Sequence, residues 1–341
     1  MMGASHPFLY SDGQKRYHTY AYALWRQFGC RVAKIPLDGG FTCPNRDGSK
    51  GYGGCAFCAA DGGSGFSRDM TDENGCRLSL AEQFRKASAR THAKWPDAKM
   101  IAYLQAFTNT YAPVDRLRTI YEEALSLPQV VGLSIATRAD ALPLSVLNLL
   151  EDFNRRTFLT VELGLQTIHD QTAERMGRGH SYADFLEGYA RLTERGIRVC
   201  IHLINGLPGE DREMMLASVA ETARLRPYAI KFHLLHVVEG TRLAAWYRTN
   251  EFSLLSQEEY ISIVCDQLAS LPPETVIQRL TGDGDRRTLI GPTWSLHKRA
   301  VLNAIDKELR HRDSWQGKGW EDLESAVKKQ TPIDNARQES D

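Results

Sequence analysis

The chain has 341 residues, and its 42 Lys and Arg balance its 42 Asp and Glu, so the formal net charge is zero. This length corresponds to roughly two domains or one large α/β barrel with additions, and it excludes a coil or a stapled mini-protein. Hydrophobic residues make up 42% of the chain and charged residues 25%, a composition typical of soluble globular proteins. No run approaches the ~18 consecutive apolar residues of a transmembrane helix. Residues 1–15 lack the apolar segment of a secretory signal, so we expect a cytoplasmic protein without a membrane partner.

The first predicted element is an aromatic-rich helix over residues 17–28, YHTYAYALWRQF, in an N-terminal extension that spans residues 1–29. We expect this helix to pack on the domain that follows. From Cys30 onward, short β-branched or aromatic runs alternate with longer amphipathic segments, the pattern of βα units around a parallel sheet. The predicted strands are residues 30–37, 100–107, 130–137, 157–165, 197–204 and 229–236. The predicted helices between them are residues 80–90, 114–125, 144–153, 182–196 and 212–225.

After the first strand, successive strands start roughly thirty residues apart, close to the size of one βα unit in a barrel. Six units are two fewer than a complete (β/α)8 barrel contains, so residues 30–239 are predicted to form a partial (β/α)6 barrel with an open side for a large substrate. Residues 240–330 are predicted to form a small C-terminal α/β subdomain, with helices at 255–271 and 294–312 and a short strand at 275–280. The polar residues 331–341 are predicted to be a disordered tail.

The cysteines give the most informative local pattern. Seven are present, an odd number that argues against a disulfide framework. Cys43, Cys55 and Cys58 have the spacing C-x11-C-x2-C in a glycine-rich segment that follows the first predicted strand. Three thiolates on one loop suit zinc or an iron–sulfur cluster, and a [4Fe-4S] cluster held by three cysteines leaves one iron free for a small molecule. Zinc normally takes a fourth protein ligand, for which Cys30 and Cys76 are available.

The zero net charge is an average over unequal segments. Residues 1–95 carry 13 basic and 8 acidic side chains, residues 96–277 carry 17 and 23, and residues 278–330 carry 11 and 8. Positive charge is therefore concentrated at the two ends that flank the predicted barrel. Such a distribution is compatible with a nucleic-acid partner, although modest imbalances of this kind are also common on solvated surfaces.

At this point the sequence resembles the radical S-adenosylmethionine (radical SAM) enzymes, and within them the YhcC/YtqA-type family, which is related to the catalytic subunit of Elongator. The resemblance extends from Tyr17 to about Asp322. It depends on motifs that occur in order: GGFTCPNRDG, YLQAFTNTYAP, IATRAD, VELGLQT with MGRGH, HLINGLPGE, KFHLLHVVEGTRLA, and LTGDG with GPTW. Two features depart from common patterns, because the first cysteine gap is longer than in the usual C-x3-C-x2-C spacing and Gly177 replaces the Asn of an NRGH motif.

The resemblance implies a radical SAM barrel in which Cys43, Cys55 and Cys58 bind a [4Fe-4S] cluster whose free iron chelates S-adenosylmethionine. Reduction by a partner such as flavodoxin or ferredoxin then yields methionine and a 5'-deoxyadenosyl radical, which abstracts hydrogen from the substrate. Phe57 lies at the aromatic position near the adenine, with a core anchor as the alternative role. Other candidates for cofactor binding are polar or small residues at the predicted strand ends: Gln105, Thr108, Asn109, Thr137, Arg138, Glu162, Gln166, Asn205 and Gly206.

Three interpretations of function follow. The resemblance implies an enzyme that acts on transfer RNA (tRNA) and converts wobble 5-carboxymethylaminomethyl-uridine to 5-aminomethyl-uridine. A second interpretation keeps the radical chemistry but assigns a small metabolite or a protein as the substrate. The third is a zinc-stabilised RNA-binding module without radical chemistry. His202, His233 and His236 lie on predicted strands, where a hydrogen-bonded core role is commoner than a catalytic one.

Overall fold

The computed structural model describes residues 8, 10, 15–60, 62, 69–282 and 284–320. The predicted tail at 331–341 lies outside these residues. Among the described residues, one sheet contains seven strands in the order β1-β2-β3-β4-β5-β6-β8, and every neighbouring pair is parallel. The strands of this sheet are β1 (Val32–Leu37), β2 (Lys99–Leu104), β3 (Val130–Thr137), β4 (Phe158–Gln166), β5 (Arg198–Asn205), β6 (Ala229–Leu234) and β8 (Val276–Arg279).

Helices cover the outer face of this sheet. The described helices are α1 (Tyr20–Phe28), α2 (Leu80–Lys94), α3 (Val114–Ser126), α4 (Leu144–Arg156), α5 (Asp170–Arg175), α6 (Tyr182–Thr193), α7 (Arg212–Arg224), α8 (Arg242–Arg248), α9 (Gln257–Ala269) and α10 (Lys298–His311). Ser79, Ser181 and Ser256 begin α2, α6 and α9 with reciprocal capping boxes, which satisfy backbone donors that the first helical turn leaves unpaired. The part of the chain that the structure describes contains no helix both long and apolar enough to cross a bilayer.

Side chains alternate between the two faces of the curled sheet. Ile35, Leu163 and Ile201 point to the outer face and belong to the main hydrophobic core beneath the helices. Their neighbours Lys34, Glu162 and His202 lie on the inner face, where they contact one another. This period of two places apolar residues against the helices and polar residues inside the half-barrel.

All six predicted barrel strands are present, and the predicted partial barrel is confirmed, with one extension. Strand β8, from the segment assigned to the C-terminal subdomain, pairs in parallel with β6 and adds a seventh strand to the sheet. Two further strands, β7 (Val237–Val238) and β9 (Leu289–Gly291), form a separate antiparallel pair, which joins the end of the predicted barrel segment to the predicted C-terminal subdomain. The proposed division at residue 240 remains a prediction.

The aromatic N-terminal helix packs on the sheet, as expected. Leu24 of α1 is buried in a small cluster with Ile101 and Phe158, and the Phe28 ring meets Phe158 edge to face at 5.3 Å. Just before α1, the carbonyl of His18 accepts a hydrogen bond of 2.8 Å from the backbone N–H of β8. The helix thereby connects the two edges of the open sheet.

Close packing of α6 on the loop after β3 gives a stability prediction. A Cβ at Gly188 would overlap the carbonyl oxygen of Ala139 and lie 2.8 Å from its Cβ. We expect Gly188→Ala to lower the free energy of unfolding by about 3 kcal/mol, because neither backbone segment can withdraw without loss of packing. Glu187→Ala, on the exposed side of the same helix, is the control and should change it by no more than about 0.5 kcal/mol. Urea denaturation measures both, and equal stability of the two variants would contradict this packing.

Candidate active site

The carboxyl ends of the parallel strands meet at one edge of the half-barrel, and the cysteine loop emerges there from β1. The loop folds tightly around Asn45, because a Cβ at Gly51 would lie 2.5 Å from the Asn45 Oδ1 atom. Asn45 in turn donates a 2.5 Å hydrogen bond to the carbonyl of Gly177 on the segment after β4. Small residues at these positions let the two segments approach each other closely.

Cys43, Cys55 and Cys58 line one cavity of about 320 Å³ that opens at this edge. No three His, Cys, Asp or Glu side chains within the described ranges surround a single point closely enough to hold one ion. The three cysteines therefore share one cavity.

Cationic and amide donors surround the cysteine sulfurs. Arg178 Nη1 lies 3.5 Å and Asn45 Nδ2 3.6 Å from Cys55 Sγ. Arg46 Nη2 lies 3.5 Å from Cys58 Sγ. Burial and the neighbouring Cys55 raise the pKa of the Cys58 thiol, and the Arg46 charge opposes this shift. A donor set of three sulfurs with positive charge beside them fits thiolate ligands of an iron–sulfur cluster.

The ends of β2 and β3 supply polar groups to the cavity wall, including the predicted Gln105, Thr108, Thr137 and Arg138. Arg138 is 5% exposed and binds both carboxylate oxygens of Asp140 at 2.9 Å. Burial alone would raise the pKa of Asp140, but the Arg138 guanidinium lowers it to about 2. Arg138 also donates a 2.7 Å bond to the carbonyl of Arg178, which fixes the residue that contacts Cys55.

Gln166, at the end of β4, carries an unpaired acceptor. Its backbone has φ of 75°, a left-handed conformation that is uncommon for a residue other than glycine. Its side chain lines the cavity, and its buried Oε1 atom has no hydrogen-bond partner among the described residues. An acceptor held in this way suits a donor on a bound cofactor, such as an amino or hydroxyl group.

Glu162 is fully buried at the floor of the cavity, and protein groups occupy both of its carboxylate oxygens. Oε1 accepts from Lys34 and, at 2.7 Å, from Ser134. Oε2 contacts Lys231 and, at 2.8 Å, His202 Nε2. Burial alone would raise its pKa, but the charges of Lys231 and Lys34 hold it well below its ordinary value. With these four partners in place, Glu162 acts on the cavity through the side chains that it positions.

Phe57 also lines the cavity, between two of the cysteines. Its ring packs on a small apolar cluster that includes Ala56, Met176 and Leu207. This location is compatible with both roles predicted for it, an adenine contact and a core anchor.

Three predicted cofactor-binding residues are not among the described residues that line this cavity. The Asn109 amide donates to the carbonyls of Ala106 and Ala136 at 3.0 and 2.9 Å, which joins the ends of β2 and β3. Asn205 forms two reciprocal 2.8 Å hydrogen bonds with Gln267 of α9. Gly206 adopts φ of 88° in the turn that follows. Their contacts hold loops and helices in place around the cavity.

Sequence reasoning did not select several residues that the fold places on the cavity wall. Arg46 and Arg178 lie at the sulfurs, and Arg279 from β8 lies at the floor with His202 and His233. The two histidines were visible as polar residues within apolar strands. Arg178 lies within the MGRGH motif, whereas Arg279 precedes LTGDG in a segment that was expected to belong to another subdomain.

Two family models match this chain. The Radical SAM superfamily model matches residues 43–221, and the Radical_SAM C-terminal domain model matches residues 227–311. The chain therefore belongs to the radical SAM superfamily of enzymes, which use a [4Fe-4S] cluster and S-adenosylmethionine. Within the superfamily, it belongs to the YhcC/YtqA-type, Elongator-like family.

The relatives support this placement. YtqA of Bacillus subtilis (strain 168) is 49% identical over 95% of this chain and 98% of YtqA, and YhcC of Escherichia coli (strain K12) is 34% identical over 90% and 97%. The tRNA uridine(34) acetyltransferase of Dehalococcoides mccartyi (strain CBDB1) is 32% identical over 50% of this chain and 37% of that enzyme. The structure of Elp3 from the archaeon Methanocaldococcus infernus matches with a TM-score of 0.59 and 19% identity, over 81% of this chain and 63% of that chain, which shows a shared fold.

The floor of the cavity gives a pH prediction. Burial and the nearby Lys231 lower the pKa of His202 from 6.5 to about 4 in the folded protein. The unfolded chain therefore binds one more proton than the folded chain between these pH values, so the free energy of unfolding falls as the pH drops through this window. His202 accounts for at most about 3 kcal/mol of this fall.

Urea denaturation at a series of pH values tests this prediction. His202→Gln retains a donor toward Glu162 but does not titrate, so its stability should fall less steeply between pH 6.5 and about 4. If the variant lost stability as steeply as the wild type, His202 would not contribute to the pH dependence of the free energy of unfolding.

Proposed function

We propose that this enzyme modifies the C5 side chain of the wobble uridine of tRNA, converting 5-carboxymethylaminomethyl-uridine to 5-aminomethyl-uridine. The observation that carries the proposal is one cavity that three cysteines line at its mouth and Arg279 lines at its floor. The resemblance to enzymes related to Elongator, and the relative named a tRNA uridine(34) acetyltransferase, support the choice of substrate.

In this proposal Cys43, Cys55 and Cys58 hold the cluster, and Arg46 and Arg178 provide positive charge beside the thiolates. When bound, the cluster and S-adenosylmethionine would supply a 5'-deoxyadenosyl radical able to take one hydrogen atom from the methylene carbon of the carboxymethyl arm. Return of one electron from this carbon to the oxidised cluster, followed by hydrolysis of the C–N bond, would release the arm as glyoxylate and leave the primary amine. Gln166 accepts a hydrogen bond from the cofactor. Phe57, with its ring packed against the apolar cluster, covers the cofactor and keeps water from that side of the cavity.

The substrate must enter as an unstacked nucleotide, because the cavity is too narrow for a folded RNA helix. Bases of an anticodon loop are accessible in this way, and enzymes that act on a base commonly bind it outside the stack. Tyr52 lies in the cysteine loop with its side chain 83% exposed. An exposed aromatic ring on the cysteine loop suits stacking with a neighbouring base of the anticodon loop.

Reconstitution tests the cluster assignment. We expect the anaerobically reconstituted wild type to contain about four irons per chain and to cleave S-adenosylmethionine reductively. Cys55→Ala should lose most of the iron and form no 5'-deoxyadenosine, because a buried ligand is removed. Cys76→Ala changes an exposed cysteine outside the cavity lining and is the matched control. Normal deoxyadenosine formation by Cys55→Ala would contradict the assignment.

The nucleoside profile of a strain that lacks the gene tests the substrate. We expect tRNA from this strain to accumulate 5-carboxymethylaminomethyl-uridine or its 2-thio form and to lose the nucleosides made from the aminomethyl form. Liquid chromatography with mass spectrometry measures both changes, and the wild-type gene should reverse them. The Cys55→Ala gene should not. An unchanged profile would contradict a role in wobble uridine modification.

A further inference from the structure

The floor of the cavity carries more positive than negative charge. Arg279 lines it, and Lys34 and Lys231 lie behind it, where Glu162 is the one carboxylate among the described residues that pairs with them. Glu162 pairs with both lysines. Burial lowers the pKa of Lys231 from 10.5 to about 7, and the charges of Lys34 and Arg279 contribute to this shift. The floor is therefore electrostatically suited to a ligand that brings a negative charge.

Arg279 is the cation of this group that Glu162 does not neutralise. It ends β8, directly opposite Lys231 of β6 in the sheet register, and its side chain lines the cavity. Over the described part of the chain, its guanidinium takes part in no hydrogen bond, ion pair or ring contact. An arginine on a cavity wall without a partner has all five N–H donors free for a ligand.

His233 offers a second free group beside Arg279. Its Nε2 atom is buried and has no hydrogen-bond partner among the described residues, and its ring centre lies 5.1 Å from that of His202. Burial lowers the pKa of His233 well below its ordinary value, and the charges of His202 and Arg279 lower it further. The ring is therefore neutral, and in the tautomer with hydrogen on Nε2 it has a donor to offer a ligand in the cavity that the residue lines.

We propose, on the basis of the function proposed above, that Arg279 binds the carboxylate of the carboxymethyl arm, with His233 Nε2–H as a second donor. The planar guanidinium matches two carboxylate oxygens in a bidentate arrangement, which fixes the direction of the arm as well as its position. Arg279 is thus a specificity-determining residue. The arm is anchored at the floor while the cofactor lies among the cysteines at the mouth.

The same contact distinguishes substrate from product. The arm of the substrate carries a carboxylate and an ammonium group, so its net charge is zero. The product has lost the carboxylate and retains a primary ammonium. The Arg279 charge attracts the carboxylate that only the substrate arm carries and repels the ammonium that remains in the product, and this difference favours release of the product.

Equilibrium binding to two RNAs tests the proposal. Reconstituted enzyme with S-adenosylmethionine, but without reductant, is titrated with anticodon stem–loops that carry either the carboxymethylaminomethyl or the aminomethyl group on the wobble uridine. We expect the wild type to prefer the carboxylate-bearing RNA by about 10-fold or more. Arg279→Gln should weaken binding of that RNA by about 10- to 100-fold and leave binding of the aminomethyl RNA unchanged or tighter, because a charge-assisted pair is lost.

Two further variants make the test specific. Arg85→Gln removes the same charge from the exposed face of α2 and should retain the wild-type preference. Arg279→Lys retains the charge without the planar fork and should give an intermediate preference. A variant that failed to fold would lose both RNAs together, so the ratio of the two affinities reports on the carboxylate contact itself. A wild type without preference, or an Arg279→Gln variant that retains it, would overturn the proposal.

Titration with the two free nucleosides separates this proposal from the proposed function. If the nucleoside profile of the deletion strain is unchanged but the Arg279-dependent preference for the carboxylate nucleoside is observed, the carboxylate site stands and the tRNA function fails. If the profile changes as expected but the preference is absent, the tRNA function stands and Arg279 has no part in recognising the carboxylate.

Discussion

The buried carboxylate of Glu162 is the contact on which the interior of the half-barrel depends. From β4 it reaches Lys34 of β1, Ser134 of β3, His202 of β5 and Lys231 of β6. Five of the seven strands thus converge on one side chain. Removal of one member of a buried ionic group leaves the others uncompensated in a medium that solvates them poorly, at a cost of about 3 to 5 kcal/mol. This requirement fixes the polar floor at a definite depth below the strand ends.

The cavity above that floor has two chemically different ends. Cysteine sulfurs with arginine and amide donors lie at the mouth, and histidines with the unpaired Arg279 lie at the base. The mouth is built by loops, whereas the base is built by strand residues that the sheet register holds rigidly. Such a division suits an enzyme in which a reactive cofactor must meet a single position of the substrate, because rigid strands would hold the reacting group while the loops would hold the cofactor.

Much of this arrangement could be predicted from the sequence because its signals are local. The cysteine spacing, the glycine-rich loops and the alternation of strands and helices can each be read from neighbouring residues. The family motifs then predict the cofactors. The seventh strand was assigned to the C-terminal subdomain because residues 276–279 form a short segment after two prolines, with only two apolar residues, and its pairing with β6 depends on a contact distant in sequence. Arg279 was missed for the same reason.

A residue's position at the end of a strand also does not show whether its side chain lines the cavity or supports the residues that do. Thr137 ends the third predicted strand and Asn205 directly follows the fifth. Thr137 lines the cavity, whereas the Asn205 amide bonds Gln267 of α9, a helix distant in sequence. Glu162 was correctly singled out as a buried charge in an apolar run. Its four partners come from four other strands, and no local pattern predicts that set.

Isotope transfer tests the central claim of this account most directly. A tRNA that carries deuterium on the methylene carbon of the carboxymethyl arm is incubated with reconstituted enzyme, S-adenosylmethionine and reductant, and the 5'-deoxyadenosine is analysed by mass spectrometry. The account predicts that deuterium appears in the 5'-deoxyadenosine as the aminomethyl nucleoside forms. Formation of that nucleoside with only unlabelled 5'-deoxyadenosine would contradict it.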